Sequence, residues 1–254
     1  MADHSPCPPS IRILGETPEL LAVEKPPFVL VHPTKPGGET TLWDHLRELL
    51  AYEIASGGQV SLINRLDRET SGIVLVAKRS DAARACGMAM ERGEIAKEYL
   101  AIVIGWPEQE SWSVREPILR LGEVMPSRIW LKRGVHAGGA AAATDFFVRQ
   151  RLTHPQYGQM ALIQCMPLTG RTHQIRIHLA FSGYPVVGDK IYGPSEECYL
   201  EFIQTGWTSA LQERLWLPRH ALHSSLLAVS FQGERHCWKS DLPEDLRSLL
   251  GECC

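Results

Sequence analysis

Asp67 stands between two arginines, Arg65 and Arg68, in the stretch SLINRLDRETSGIVLVAK, residues 61–78. Guanidinium groups on either side favour the ionised form of a carboxyl group, and an ionised carboxylate can serve as nucleophile or electrostatic stabiliser. Thr70, Ser71 and Gly72 add hydroxyls and a pliable backbone where an apolar run begins. On these residues alone two readings stand, a catalytic carboxylate or an ion-paired turn ahead of a strand. A second cluster occupies PLTGRTHQIRIHLAFSGYPVVGDKIYG, residues 167–193. Arg171 falls at the start of a short helix and Arg176 five residues on, while Thr172, His173 and Gln174 crowd donors into its first turn. The unpaired N–H groups of such a turn suit phosphate oxygens. The alternative is an amphipathic helix with Ile175 and Leu179 turned inward and a polar outer face.

Several other chemistries lack their residues. There is no G-x-x-x-x-G-K-[ST] loop and no G-x-G-x-x-G turn, so nucleotides have no usual cradle, and neither H-E-x-x-H nor G-x-S-x-G occurs. His173 and His178, five apart, fall on different faces of a helix, and His220 and His223 lie in strand-like sequence on opposite sides, so they read as structural histidines and no metal site is expected. The seven cysteines are scattered without a C-x-x-C pair, which fits reduced thiols in the cytoplasm better than a zinc ribbon or a disulfide framework. The terminal Cys253–Cys254 pair is not a prenylation box. No run approaches the roughly 18–20 apolar residues of a membrane span. The opening MADHSPCPPS has neither a basic start nor an apolar core; residues 1–10 are expected to form a disordered lead and not a signal peptide.

The net charge of −3 argues against a nucleic-acid partner until its distribution is considered. From Val124 to Gly188 seven bases (Arg128, Lys132, Arg133, Arg149, Arg151, Arg171, Arg176) face one acid, Asp145, giving +6 and leaving −9 for the remainder. A basic face on an acidic body suits a protein that touches phosphates; a solvated face with acids nearby in space is the plainer alternative.

The elements that must position these residues follow from patterning. IRILGETPELLAVEKP predicts a hairpin, and TTLWDHLRELLAYEIASGG a helix capped by Thr41 with Asp44, carrying Leu42, Leu46, Leu49 and Leu50 on one face and closed by Gly57. GIVLVAK predicts a strand buried on both faces, and Ser80 is expected to cap a helix that ends at Gly93. KEYLAIVIGW alternates, with Tyr99, Ala101 and Val103 on one face. TDFFVRQRL and GQMALIQCMP predict a strand pair, GRTHQIRIHLAFSGYP a short helix stopped by Gly183, ALHSSLLAVSF a late strand and LPEDLRSLL a closing helix. Residues 106–144 read as a long irregular excursion. Strands that outnumber helices without regular alternation predict an α+β fold with a mainly antiparallel mixed sheet flanked by helices.

NRLDRETSG, KEYLAIVIGW and TGRTHQIRIHLAFSGYPVVGD..YG, in this order and spacing, closely resemble the three motifs of the RluA-type family of RNA pseudouridine synthases, and the likeness runs over residues 11–250. The resemblance implies a single catalytic domain over 11–250 with a central RNA-binding cleft. It implies isomerisation of specific uridines in structured rRNA or tRNA to pseudouridine, by base flipping and attack by an aspartate. Asp67 matches the essential aspartate, Tyr99 the tyrosine that packs on the target base, and Arg176 the basic residue that pairs with that aspartate. Arg65, Arg68, Arg171 and His173 are then expected at the RNA. Isomerisation needs no redox partner or group donor, so no cofactor, metal or nucleotide is expected, nor a membrane; the chain is expected to act as a cytoplasmic monomer. It resembles the shorter members that lack an N-terminal RNA-binding module. It departs from the family at Asn64, where relatives commonly carry His before RLD, which removes a group able to carry a proton charge. Two rival readings are a catalytically inactive, chaperone-like RNA binder and a metal-dependent hydrolase using His173, His178, His220 and Cys237.

Overall fold

The predicted hairpin forms from β1 (Arg12–Glu16) and β2 (Leu20–Lys25), turned at Thr17, whose hydroxyl accepts the N–H groups of Glu19 and Leu20. The computed structural model describes residues 11–33 and 37–251. The expected disordered lead and the terminal cysteine pair lie outside the described residues. The chain divides into two compact units, one running through Ile95 and including Leu226–Ser240, the other comprising Ala96–Ser225 and the stretch from Asp241 onward.

In the first unit Thr41 and Asp44 make the expected capping box at α1 (Leu42–Leu49), whose Leu42 and Leu46 are buried. The predicted single helix is broken at Leu50, and α2 (Ala51–Ala55) continues separately. Leu42, Leu46 and Leu50, four apart, make the inward stripe; Leu49 does not share it and is 50% exposed. After β3 (Ser61–Leu62) comes β4 (Ser71–Ala77), buried at every residue as its unbroken apolar run requires. Strand β4 takes β2 and β3 as antiparallel neighbours. Helix α3 (Ser80–Glu91) buries Ala82, Cys86 and Ala89, small residues that let it lie close to the sheet. Ser80 is its first helical residue; Arg79 occupies the cap position without a side-chain bond, and the Asp81 carboxylate accepts the Ala82 N–H instead.

The second unit opens with β5 (Ala96–Ile104) and continues through β6 (Ser111–Val114), β7 (Ile118–Arg120), β8 (Arg133–Val135), β9 (Thr144–His154) and β10 (Gly158–Pro167). Its strands run β5–β10–β9–β6, all antiparallel, with β7 and β8 as a separate pair. The stretch expected to be irregular therefore holds three short strands. Helix α4 (Gln174–Phe181) follows, then α5 (Glu197–Thr205) and α6 (Ser209–Leu215), two helices not anticipated from sequence. Strand β11 (Leu222–Phe231) returns the chain to the first unit, where β12 (Glu234–Lys239) pairs with it, and α7 (Glu244–Leu249) closes the second. The architecture is the expected α+β type, with mostly antiparallel strands.

The core of the first unit gathers Leu20, Ala22, Ile73, Leu75, Ala77, Ala82, Cys86, Leu227, Val229 and Trp238. Leu75 is completely buried there. Leu75→Ala is expected to lower the unfolding free energy by about 2–5 kcal/mol, read as a reduced urea midpoint with an unchanged slope.

Candidate active site

In the first unit Asp67 lies on the segment that leads from β3 to β4, half-buried, its carbonyl accepting the Thr70 N–H (3.1 Å). That segment is fixed on both sides of Asp67. Three residues before it, buried Asn64 donates its side-chain amide to the Ile73 carbonyl (3.0 Å) and accepts the Leu75 N–H (2.8 Å). The amide thereby does for β4 what a neighbouring strand's peptide group would do. An imidazole carries its donor and acceptor on different sides of a ring, so the Asn at this position has a structural reason. One residue after Asp67, the Arg68 carbonyl accepts a hydrogen bond from the Lys25 ammonium (3.1 Å), which also reaches the carbonyls of Pro26 (2.8 Å) and Val29 (2.9 Å). Lys25 is fully buried. A buried ammonium is costly unless its donors are matched, and the carbonyl dipoles answer it. The Asp67 backbone is thus bracketed by Asn64 and Lys25. The flanking arginines are exposed: Arg68 reaches Glu39 (3.1 Å), and the Arg65 charge acts, after burial, to lower the pKa of His32.

In the second unit α4 is buried on all sides from Gln174 to Leu179, so an amphipathic helix with a polar outer face does not describe it, while Arg171 and Thr172 ahead of it are exposed. Gln174 directs its side chain inward, accepting from Thr169 (2.6 Å) and the Arg171 N–H (3.0 Å) and donating to Ala143 (2.9 Å) and Thr144 (3.0 Å). His173 precedes the helix in a left-handed conformation (φ 61°), its ring nitrogen 2.8 Å from the Tyr192 hydroxyl. Exposed Arg171 donates Nε to the Ala141 carbonyl (3.0 Å). His178 is fully buried: Nε2 donates to the Glu116 carbonyl (3.0 Å), Nδ1 faces the Thr144 hydroxyl (2.9 Å), and burial lowers its pKa, so it is a neutral structural group. Among the described residues no group of three or more His, Cys, Asp or Glu side chains could hold a metal ion.

Arg176, 5% exposed, is held by Asp189, which sequence reasoning did not single out. Nε donates to Oδ2 (2.6 Å) and Nη2 to Oδ1 (2.9 Å), while the guanidinium lies 5.1 Å from the Tyr192 ring centre. Oδ1 also accepts the N–H groups of Ile191 (2.9 Å) and Tyr192 (3.0 Å). Complete burial by itself pushes the Asp189 carboxyl up; the Arg176 charge and hydrogen bonds outweigh it and hold the group far below the ordinary carboxylate range. The glycines around it are there for closeness. Gly188 has φ +76° and a Cβ there would lie 2.0 Å from the Arg219 carbonyl; one at Gly193 would lie 2.2 Å from the Asp189 carbonyl. The signal for Asp189 was present in the sequence: an arginine in an apolar helix needs a carboxylate, and GDKIYG supplies the first acid after it.

Tyr99 sits on β5 opposite Cys165 of β10, 8% exposed. Lys97, two residues earlier and so on the same face, is half-buried near Gly170, and burial lowers its pKa; the strand period alone would have nominated it. The basic segment is less available than its charge count suggests. Arg128 pairs with Glu197, Lys132 with Glu196, Arg151 with Glu110 (2.6 Å) and Arg176 with Asp189, all acids from outside the segment. No helix among the described residues is long and apolar enough to cross a membrane.

The family model for RNA pseudouridylate synthase matches residues 19–181, the span that holds Asp67, Tyr99 and Arg176. Over 94% of its length the chain is 30% identical to ribosomal large subunit pseudouridine synthase D of Nitrosomonas europaea, of which it spans 64%, and 32% identical to that of Pseudomonas aeruginosa, of which it spans 71%. It shares its fold with the solved structure of human RNA pseudouridylate synthase domain containing 4, at a TM-score of 0.73 and 24% identity, over 94% of this chain and 91% of that one.

Asp189→Asn removes the carboxylate charge that holds the buried Arg176 guanidinium and is expected to cost about 3–5 kcal/mol of stability. Because the folded carboxyl titrates far below its unfolded value, its contribution is complete above about pH 4 and is lost as pH falls from there. Urea titrations at a series of pH values are expected to show an acid limb in the parent protein that is flatter in the variant.

Proposed function

The chain belongs to the RNA pseudouridylate synthase family, and from that premise we propose that it converts specific uridines of large-subunit ribosomal RNA to pseudouridine, acting as a cytoplasmic monomer with residues 11–250 as one catalytic domain. The names of its curated relatives favour ribosomal over transfer RNA as substrate.

Asp67 is the carboxylate that attacks the nucleoside. The N1–C1′ bond breaks, the uracil turns, a C5–C1′ bond forms, the C5 proton leaves and N1 regains a proton. Nothing is oxidised and no group is lost, so the balance closes without a co-reactant. Reaching the base requires taking it out of the stack at a cost of roughly a few kcal/mol, which contacts from Arg65, Arg68, Arg171 and His173 to RNA offset. Tyr99 offers an aromatic face to the extruded base and a hydroxyl for the C5 proton. Arg176, held in place by Asp189, supplies positive charge to the reacting anions.

The observation that carries this reading is the bracketing of Asp67 by Asn64 and Lys25, which immobilises the chain on both sides of a partly accessible carboxylate. A solvated ion-paired turn would need no such support; a reacting group has to be held to within a fraction of an ångström.

Asp67→Ala is expected to slow tritium release from RNA labelled at uracil C5 by about 10⁴-fold or more, the scale of removing a nucleophile, while RNA binding by filter retention persists. Absence of tritium release by the unaltered protein on ribosomal RNA would favour a non-catalytic RNA binder instead.

A further inference from the structure

Among the described residues Trp130 is second only to Tyr52 in exposure of a large apolar side chain, at 74%, yet hydrogen bonds hold the segment on either side of it. It lies between β7 and β8, next to Ile129, which is buried to 2%. The Lys132 N–H bonds the Ile129 carbonyl (3.1 Å), the Leu121 N–H bonds the Lys132 carbonyl (3.0 Å), and the Arg128–Glu197 and Lys132–Glu196 pairs tie the segment to α5 and the turn before it. One face of the indole is covered by the Arg120 guanidinium, 3.8 Å from the ring centre, and Arg120 is itself steadied by Glu123 (3.2 Å). With the ring 74% accessible despite that cover, its opposite face is open to solvent.

We propose that the open face of Trp130 is a stacking platform for one unpaired nucleobase of the RNA substrate, on the side of the indole away from Arg120. The inference rests on the RNA-modifying function proposed above. Three features favour a nucleobase over an apolar protein surface. The ring is held from behind by a cation, so its orientation is set before anything lands on it and little freedom is lost on binding. Four cations surround it in the chain, Arg120, Arg128, Lys132 and Arg133, and Arg133 makes no ion pair among the described residues. The Arg128–Glu197 pair is more than half exposed on both sides, where ion pairs contribute little and a phosphate can take the place of the carboxylate. A flat aromatic ring beside exchangeable cations is the arrangement that binds single-stranded nucleic acid, base on ring and phosphate on guanidinium.

Binding of two fluorescein-labelled RNAs, a hairpin with a loop of unpaired uridines and a fully paired duplex of equal length, tests this by polarisation. Trp130→Ala is expected to weaken hairpin binding by roughly five- to hundredfold with duplex binding unchanged, and Trp130→Phe to restore most of it. Circular dichroism of both variants, matching the parent, shows that the fold is kept. Equal hairpin affinity of Trp130→Ala and parent overturns the platform and leaves the role of Asp67 standing. Equal weakening toward hairpin and duplex also overturns it, because a backbone contact and not a stack has then been lost. A parent protein that binds neither RNA overturns the platform, and tritium release from ribosomal RNA then decides separately whether the proposed function stands.

Discussion

A cation taken out of water must be met by oxygen on every side it presents, and each unit of this protein is organised around that constraint. In the first unit the Lys25 ammonium is met by the carbonyls of Pro26, Val29 and Arg68. In the second, Arg176 is met by both oxygens of Asp189, and Arg219, wholly buried, by both oxygens of Asp245 in α7. Such groups contribute little net stability compared with apolar replacements, since desolvation consumes much of the attraction. Their effect is positional: a mismatched geometry leaves a buried charge unanswered, which disfavours other arrangements of the surrounding loops. The Lys25 and Arg176 contacts fix the stretches that carry the first and third sequence motifs.

This view separates two roles that the motifs combine. Arg176 and Asp189 form a bidentate pair, Gly193 lies close to the Asp189 carbonyl and Gly188 to that of Arg219, and Gln174 and His178 fasten α4 to its surroundings. Asp67 is of a different kind. It is half-buried, its neighbours on the chain are exposed arginines, and the backbone on either side of it is held by Asn64 and Lys25. Asn64 belongs with the supports, which is why a residue that cannot carry a proton charge is acceptable there.

Much of this was legible in the sequence and the remainder was not, for physical reasons. The Thr41–Asp44 capping box, the doubly buried β4, the alternation of β5 and the stop at Gly183 are local signals and are read from neighbouring residues. The break at Leu50 has no proline or glycine to announce it. The β7–β8 pair and the α5–α6 helices are short elements whose stability comes from what they pack on, so their own residues carry weak patterns. Charge was the least legible property. Seven bases against one acid in a segment looked like a phosphate surface, but Glu110, Asp189, Glu196 and Glu197 come from elsewhere in the chain to answer four of them. The proposal of Asp67 as the reacting group comes from its motif, whereas its two fasteners, Asn64 and Lys25, are visible only in the fold.

The central claim is that the carboxylate of Asp67 makes pseudouridine. Nucleoside chromatography of large-subunit ribosomal RNA, purified from cells carrying either the intact gene or the Asp67→Ala gene as the only copy, measures it directly. The account predicts that pseudouridine falls in the variant by a whole number of residues per RNA molecule, with uridine rising by the same number. Identical pseudouridine content in the two RNAs would contradict it.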